Sequence, residues 1–271
     1  MKFEFKKKFG QNFLSDKNLL DQIVIMSGVM SDDVVVEIGA GKGALTEVLS
    51  KNAKKVFSFE IDNELIAFLT EKFKDTNVEF VFEDVMKVDD ETLNNLVGGK
   101  FKLVANLPYY VTSPILTRFL KNQNMQSATV MVQEEVADRI IAKHKTKDYG
   151  VLTIMCQLFG EAAKVLRVNR NMFYPVPNVD SAVVHIEKFK EEIDVNYDEF
   201  IEFIKKAFSM RRKKLSTNLE CSKLKKSDIE LFLDQNGISP LVRSEELSID
   251  ELKKIYLVLK EKIVYYEIET N

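Results

Sequence analysis

Short apolar runs alternate with amphipathic stretches along the chain from Asp33 onward. The runs are rich in β-branched and aromatic residues, which is typical of buried strands, whereas the intervening stretches repeat apolar residues at helical spacing. The predicted strands are 34–38, 55–61, 78–83, 102–106 and 128–133. The predicted helices are 44–52, 63–73, 91–97 and 113–122. This alternation predicts an α/β domain built on a mostly parallel sheet.

Two later strand-like runs extend the predicted sheet. Residues 163–168 and 182–189 have the composition of strands, and the loop between them contains Pro175 and Pro177. We expect these runs to form a hairpin at one edge, which gives a sheet of seven strands.

The apolar spacing becomes helical after Phe189. Phe200 and Ile204 illustrate the new spacing, which places apolar residues on one helical face. Ser227 and Ser248 stand where helix N-caps are expected. The end of the chain is therefore predicted to be helical.

Together these patterns predict two domains, 1–189 and 190–271. The first is α/β and the second is small and all helical. With 271 residues, of which 45% are hydrophobic, the chain can bury a substantial core. The apolar run 151–159 is too short to cross a bilayer, and the first residues lack a secretory apolar core. We expect a cytoplasmic monomer that does not associate with membranes.

Cysteine and histidine are scarce in this sequence. Cys156 and Cys221 fall in different predicted segments, so a disulfide framework or a cysteine zinc site is not expected. His144 and His185 have no ligand spacing, so no metal site is expected. His144 lies in a basic stretch, 143–147, for which an RNA-facing loop and a solubilising surface are equal alternatives.

Positive charge is concentrated in one segment of a chain whose net charge is −3. Residues 205–226 contain nine basic residues and one acid, Glu220. Such an excess can bind phosphates even on an acidic protein, although lysines can also simply solubilise helices. The predicted RNA contacts are Arg211, Arg212, Lys213, Lys214, Lys223, Lys225 and Lys226, together with an N-terminal cluster of Lys6, Lys7 and Lys8.

A glycine-rich turn follows the first predicted strand. Gly39, Gly41 and Ala44 fit a permissive dinucleotide-binding pattern, and glycines let the backbone approach a ligand closely. The turn is not a P-loop, because Lys42 is followed by Gly43. An NAD-dependent dehydrogenase is therefore one open interpretation.

Acids lie at the ends of the second and third predicted strands. Glu60, 21 positions after Gly39, can bind the hydroxyls of an adenosine ribose, as in both NAD and S-adenosylmethionine enzymes. Asp84 can accept from an adenine amino group, which favours S-adenosylmethionine. Because ligands of open α/β sheets bind at the carboxyl ends of strands, these residues are expected to meet. The alternative role for such acids, Asp62 above all, is helix N-capping.

The stretch from Asn106 to Tyr110 follows the fourth strand. The Asn106 side-chain oxygen and the Leu107 carbonyl could accept the hydrogens of an adenine amino group, while Tyr109 stacks on the base. Pro108 is counted with these three as a candidate catalytic residue. Asn106 could instead be only a turn residue. The motif suits a flipped-out adenine, although alone it indicates only an amino group held beside an aromatic ring, which could belong to DNA, RNA or a small amine.

These motifs resemble those of the small-subunit rRNA adenine dimethyltransferases of the KsgA/RsmA type. The matching segments are 8–14, 37–43, 106–109, 173–181 and 208–215. The resemblance implies a Rossmann-like class I methyltransferase domain followed by a helical RNA-binding domain. It also implies S-adenosylmethionine contacts at Asn12, Leu14, Gly39, Glu60, Asp84 and Asn106.

The resemblance further implies that Phe173 helps Tyr109 to close the adenine pocket, although Phe173 could instead pack in the hairpin. Tyr110 departs from the family, which often has Asn there, so its role is open. The implied substrate is a pair of adjacent adenines in the 3′-terminal hairpin of 16S rRNA within an immature 30S subunit. The rivals are an erythromycin-resistance-type 23S rRNA methyltransferase and a non-catalytic RNA-binding assembly factor.

Overall fold

The chain divides into two compact units, which are described separately. The structure is a computed structural model that describes residues 13–14, 16–109, 111–190 and 193–263. The first unit comprises Met1–Asp138 and Phe159–Phe189, and the second comprises Arg139–Leu158 and Lys190–Asn271.

The first unit contains a seven-stranded mixed sheet. Its strands are β2 (Val34–Ile38), β3 (Lys55–Phe59), β4 (Val78–Val81), β5 (Phe101–Asn106), β6 (Met125–Gln133), β7 (Gly160–Val168) and β9 (Ser181–Lys188). They lie in the order β4-β3-β2-β5-β6-β9-β7. The first five in this order are parallel, and β9 runs antiparallel to both β6 and β7. The predicted parallel sheet and the antiparallel pair at one edge are confirmed.

The strand order reverses at the centre of the sheet. The chain moves outward from β2 through β3 to β4, then returns to place β5 on the other side of β2. Loops leaving β2 and β5 therefore diverge at their carboxyl ends, which is where open α/β sheets bind ligands.

A second, two-stranded sheet was not predicted. β1 (Phe13–Leu14) pairs antiparallel with β8 (Phe173–Tyr174), so that Leu14 lies opposite Phe173. β8 lies within the loop that joins β7 to β9. The pairing fixes which of its two adjacent aromatic side chains is buried.

Eleven α-helices occur in the described part of the chain. In the first unit they are α1 (Lys17–Met26), α2 (Ala44–Asn52), α3 (Ile66–Lys72), α4 (Asp90–Val97) and α5 (Thr112–Lys121), with α6 (Glu134–Ile140) at the boundary between the units. The second unit contains α7 (Val151–Gln157), α8 (Tyr197–Ala207), α9 (Leu215–Leu219), α10 (Lys226–Gln235) and α11 (Ile249–Ile263). None of the described helices is long and apolar enough to cross a membrane.

Side-chain caps begin several of the helices of the first unit. Asp16 accepts from the Leu19 amide at 2.9 Å and starts α1, whose buried face packs into the core of this unit.

Gly43 precedes α2 at φ 74°. A Cβ there would lie 2.6 Å from the Phe73 ring, so glycine permits both the turn and the close packing.

The second unit has its own apolar core. The α8 residues Phe200, Phe203 and Ile204 are buried against Leu252 and Tyr256 of α11, with neighbouring rings at edge or tilted angles. Hydrophobic burial of this size is the main favourable term in folding a small helical unit.

The segment 139–158 differs from the sequence interpretation, which left it in the first domain. Its side chains Tyr149, Ile154 and Leu158 are buried in the core of the second unit. Burial of these three side chains explains why the segment groups with the C-terminal helices.

Two predicted caps in this unit have different outcomes. Ser248 and Glu251 form a reciprocal capping box at the start of α11, because the Ser248 amide donates to Glu251 and the Glu251 amide donates to Ser248. The Ser227 cap is wrong. α10 begins at Lys226 with Lys225 at the cap position, so Ser227 lies within the helix.

Candidate active site

A cavity of about 460 Å³ lies at the carboxyl ends of the parallel strands in the first unit. This volume falls in the range of sites that bind small molecules and cofactors. The predicted cofactor residues that line it are Leu14, Gly39, Gly41, Glu60, Asp84 and Asn106. The predicted catalytic residues that line it are Asn106, Leu107, Pro108 and Tyr109. The structure thus brings together residues from four strand ends.

The glycine turn forms the wall of the cavity after β2. Gly39 has φ 80° and Gly41 has φ 54°, which are left-handed conformations that favour glycine. A Cβ on Gly39 would lie 3.7 Å from the Asn106 carbonyl oxygen. The turn after β2 therefore runs directly beside the turn after β5.

Backbone amides hold the Glu60 carboxylate at the end of β3. Its Oε1 accepts from the amides of Ile61 (2.8 Å) and Asp62 (2.9 Å), and its Oε2 accepts from Gly41 (2.8 Å). A carboxylate has about four acceptor positions, so three amides leave room for one further donor. These bonds also join the glycine turn to the loop after β3.

Two neighbouring acids cap short turns, as the alternative interpretation expected. Asp62 accepts from the Glu64 amide at 3.2 Å and starts the turn Asn63–Leu65. Asp84 accepts through Oδ1 from the Met86 amide at 3.0 Å. For Asp84 the two roles are compatible, because the capping residue also lines the cavity.

Glu37 is a buried carboxyl group beneath the glycine turn. Its Oε2 accepts from the hydroxyls of Thr46 and Ser58, each at 2.6 Å. Its Oε1 has no hydrogen-bond partner among the described residues. Loss of hydration raises the pKa of Glu37 from its ordinary value of 4.5 to about 7, and the nearby negative charge of Glu60 contributes in the same direction.

The loop after β5 is anchored by its backbone. The Leu107 amide donates to the Met131 carbonyl at 3.2 Å, and the Val111 amide donates to the Pro108 carbonyl at 3.1 Å. Leu107 is buried, whereas Asn106 is half-buried. The loop therefore leaves the sheet with its first residue still attached to β6.

Tyr109 lies half-buried in the cavity wall. Its hydroxyl oxygen is 2.8 Å from the Ser181 Oγ. Burial raises the pKa of Tyr109 above its ordinary value, while the bond to Ser181 acts weakly in the opposite direction. The phenol therefore stays protonated at neutral pH. The role of Ser181 was not predicted beyond its place in the 173–181 motif.

The structure places Phe173 in the core and the adjacent aromatic in the cavity wall. Phe173 is 3% exposed and packs with Leu14 and Val183. Tyr174 lines the cavity and is 67% exposed. This arrangement matches the packing alternative for Phe173. Sequence reasoning missed Tyr174, because the choice between the two aromatics depends on pairing with the distant β1.

The predicted RNA contacts of the second unit lie at its surface. Arg211, Arg212, Lys213, Lys223 and Lys225 are exposed, and Lys214 and Lys226 are half-buried. Acids neutralise some of them. Arg211 Nη2 lies 2.9 Å from Glu245 Oε2, and Lys214 Nζ lies 3.8 Å from Glu230 Oε1. Arg212 and Lys213 make no ion pair with any described residue.

Glu245 also contacts the basic stretch 143–147 within the same unit. The Lys145 amide donates to the Glu245 carbonyl at 2.7 Å, while the Glu245 carboxylate binds Arg211. Residues Lys143, His144 and Lys145 are exposed. Two basic segments that are far apart in sequence thus lie side by side.

Several predicted residues lie outside the described part of the chain. They are Lys6, Lys7, Lys8, Asn12 and Tyr110. Among the described residues, no three His, Cys, Asp or Glu side chains form a group that could hold a metal ion.

Comparison of the sequence with known protein families identifies the family of this chain. A model of the ribosomal RNA adenine dimethylase family matches residues 2–261. The chain belongs to this family. It is 42% identical over 259 residues to the ribosomal RNA small subunit methyltransferase A of Clostridium acetobutylicum, and the match covers 93% of each chain.

Solved structures related to this family share the fold. A dimethyladenosine transferase from Plasmodium falciparum has a TM-score of 0.77 at 27% identity, over 92% of this chain and 98% of that chain. The 23S rRNA methyltransferase ErmE has a TM-score of 0.71 at 27% identity, over 92% of this chain and 100% of its own. The fold is a Rossmann-like methyltransferase fold, as predicted, and a methyltransferase of this kind uses an S-adenosylmethionine-type methyl donor.

The cavity fits such a donor. Gly39 and Gly41 lie beside the buried Glu60 carboxylate, which has one remaining acceptor position, and the Asp84 carboxylate also lines the cavity. Hydroxyl and amino groups of an adenosine are the donors that such carboxylates bind. Leu14, Ile38 and Ile61 supply apolar surface around them.

Proposed function

We propose that this protein transfers methyl groups from S-adenosylmethionine to the exocyclic amino nitrogens of two adjacent adenines in the 3′-terminal hairpin of 16S rRNA. The products are N6-dimethyladenines made while the small subunit assembles in the cytoplasm. One observation carries the proposal: Asn106 and Tyr109 share a single cavity with Glu60 and Asp84. Family membership and the identity to a small-subunit methyltransferase support the choice of substrate.

The residues proposed to hold the methyl donor lie around the glycine turn. Glu60 would bind a ribose hydroxyl, and Asp84 would accept from the adenine amino group. Gly39 and Gly41 leave space for the donor beside their backbone. When bound, S-adenosylmethionine supplies an electrophilic methyl group.

Asn106 and Leu107 would orient the target nitrogen. The lone pair of an adenine amino group is delocalised into the ring, so the nitrogen is a poor nucleophile while it stays planar. Acceptors at the Asn106 side-chain oxygen and the Leu107 carbonyl bind its hydrogens and favour the geometry in which the lone pair is available. In the second transfer one hydrogen remains, so the two acceptors need not act equally in both steps.

Tyr109 would bind the face of the flipped adenine. Stacking on an aromatic ring offsets part of the free energy that unstacking the base from RNA costs. The bond from its hydroxyl to Ser181 restricts rotation of the ring. The base would therefore meet a surface that is already oriented.

The basic surface of the second unit would bind RNA phosphates. Its members are Arg211, Arg212, Lys213, Lys214, Lys223, Lys225 and Lys226, with the stretch 143–147 beside Arg211. Contacts of this type supply affinity without reading bases. We propose that Lys6, Lys7 and Lys8 extend this binding and that Asn12 contacts the methyl donor.

The alternative substrate is 23S rRNA, because the fold also matches ErmE. The test is radiolabelled methyl transfer to immature 30S subunits and, separately, to 50S precursors, followed by mapping of the modified bases. Label on two adjacent adenines of 16S rRNA is expected. Label confined to 23S rRNA would overturn the substrate, and the absence of any label with both particles would overturn the activity. Particles incubated with labelled S-adenosylmethionine but without the protein serve as the blank.

A further inference from the structure

Arg118 on α5 binds the loop that follows Asp84. Its Nη1 donates to the Val85 carbonyl, and its Nη2 donates to the Val88 carbonyl. Nε and Nη2 also lie 3.3 Å from Asp90 Oδ1. The Arg118 side chain is only 16% exposed, and its bonds to the two carbonyl groups are partly buried, whereas the contact with Asp90 is exposed. A single side chain thus holds both ends of this loop.

The loop that follows Asp84 has carbonyl groups that need a donor with several N–H groups. Val85 begins the short turn Val85–Lys87, and Val88 follows it. Carbonyl groups at the ends of such turns lack partners within the turn itself. A guanidinium is planar and carries five donors, so it can bind two carbonyls and a carboxylate at once, whereas an ammonium is a point charge.

The turn that Arg118 holds is the turn that orients Asp84. The Met86 amide donates to Asp84 Oδ1 at 3.0 Å, and the Lys87 amide donates to the Asp84 carbonyl at 2.9 Å. Met86 lines the cavity, as does Ile115, one turn before Arg118 on α5. Movement of the turn would therefore move both the carboxylate and the cavity wall.

We propose that Arg118 is a positioning residue for methyl-donor binding, acting by fixing the Asp84 turn against α5. Arg118 lies outside the described lining of the cavity, so it acts through the loop. This inference rests on the proposed function, in which Asp84 binds the adenosine end of S-adenosylmethionine.

The test measures donor binding without RNA. Calorimetry gives the Kd of S-adenosylmethionine and S-adenosylhomocysteine for Arg118→Ala and Arg118→Lys, and steady-state assays give kcat and both KM values. Arg118→Ala should raise the Kd and KM of the methyl donor roughly tenfold, because the loop loses charge-assisted hydrogen bonds. The kcat at saturating donor and the KM of the RNA should change by less than about twofold, since neither depends on this loop. Arg118→Lys should recover only part of the affinity.

Lys87→Ala is the matched control, because it removes an exposed cation from the same loop and leaves the acceptors of Arg118 in place. It should leave donor affinity unchanged. Addition of Arg118→Ala to Asp84→Asn should weaken donor binding little beyond Asp84→Asn alone, because both changes act through one carboxylate. If Arg118→Ala fails to fold, the Kd of the methyl donor is compared between Arg118→Lys and Lys87→Ala instead.

The outcomes separate the two proposals. An active wild-type protein whose Arg118 variants bind the donor as tightly as Lys87→Ala would overturn the positioning role alone. Loss of kcat or thermal stability with an unchanged Kd would do the same. A wild-type protein that neither binds the donor nor methylates rRNA would overturn the proposed function and this inference together.

Discussion

The Tyr109 hydroxyl lies 2.8 Å from the hydroxyl oxygen of Ser181, which is the first residue of β9 and is fully buried. This contact joins the loop after β5 to a strand two positions away in the sheet. The orientation of the Tyr109 ring therefore depends on the sheet as well as on its own loop. The ring and the hydroxyl have separable roles in the proposed activity.

Substitution of Tyr109 should separate these roles. Tyr109→Phe keeps the ring and loses one hydrogen bond, which is worth about 0.5–1.5 kcal/mol, so the single-turnover rate should fall roughly twofold to tenfold. Tyr109→Ala loses base stacking of about 1–3 kcal/mol as well and should fall further, by roughly a hundredfold. Single-turnover methyl transfer to immature 30S subunits, with RNA binding measured separately, checks both values. Equal losses in the two variants would argue against stacking.

Ser181→Ala provides the matched test of the hydroxyl contact. Alone it should reduce the rate about as much as Tyr109→Phe, because each removes one partner of the same bond. The double variant should be little worse than either single variant. Additive losses would mean that the two hydroxyl groups act independently.

Glu37 predicts a pH dependence of stability. Below about pH 4.5 the carboxyl is protonated in the folded and the unfolded chain, so ionisation has no effect. From there to about pH 7 the unfolded chain releases the proton while the folded chain keeps it, so the free energy of unfolding falls as pH rises. The total loss is roughly 3 kcal/mol, from a shift of about 2.5 pKa units.

Glu37→Gln removes this ionisation and keeps the size of the side chain. Urea unfolding of both proteins across the range from pH 4.5 to 7.5 isolates the effect, because other titrating groups are common to both. The wild-type stability should decline relative to Glu37→Gln over this range and then level off. Parallel pH profiles would show that Glu37 has an ordinary pKa in the folded protein.

The sheet was predictable because its signals are local. Runs such as 34–38 combine β-branched composition with a following glycine turn, and the structure has this strand at Val34–Ile38. Strand ends were less accurate. β3 ends at Phe59, two residues early, because the Glu60 carboxylate binds the amides of Ile61 and Asp62 and turns the chain.

Features that depend on distant partners were not predictable. Phe173 and Tyr174 are adjacent aromatics, and only pairing of β8 with β1 decides which is buried. Similarly, Tyr149 belongs to the helical unit because of side chains more than fifty residues further along the chain. Local sequence patterns cannot indicate such contacts. The strand-end residues could be predicted to lie close together, because the carboxyl ends of parallel strands lie at the same edge of a sheet.

Asn106 should be essential for the rate and dispensable for RNA binding. Asn106→Ala removes one proposed acceptor for the adenine amino group, and loss of one such polar contact in an active site costs on the order of a hundredfold in kcat. Since the proposed function assigns rRNA affinity chiefly to the basic surface, the Kd for immature 30S subunits should be unchanged. Full methyl transfer by Asn106→Ala with normal RNA binding would eliminate the proposed role of its side chain.

The basic surface should contribute unequally to RNA affinity. Arg211 and Lys214 lie close to Glu245 and Glu230, so part of their charge is already balanced within the protein. Arg212 and Lys213 lack an ion pair among the described residues and are exposed, so they are free to neutralise phosphates.

We therefore expect Arg212→Ala and Lys213→Ala to weaken rRNA binding more than Arg211→Ala does. Each lost phosphate contact should reduce the slope of log affinity against log salt concentration by about 0.7 to 0.9 in magnitude. Lys100→Ala is the control, because Lys100 is exposed and immediately precedes β5, at the opposite end of that strand from Asn106. Binding titrations with immature 30S subunits at several salt concentrations give these slopes. Slopes for Arg212→Ala and Lys213→Ala that equal the slope for Lys100→Ala would exclude both residues from the RNA contact. A phosphate contact releases counterions and therefore changes this slope, whatever the RNA sequence.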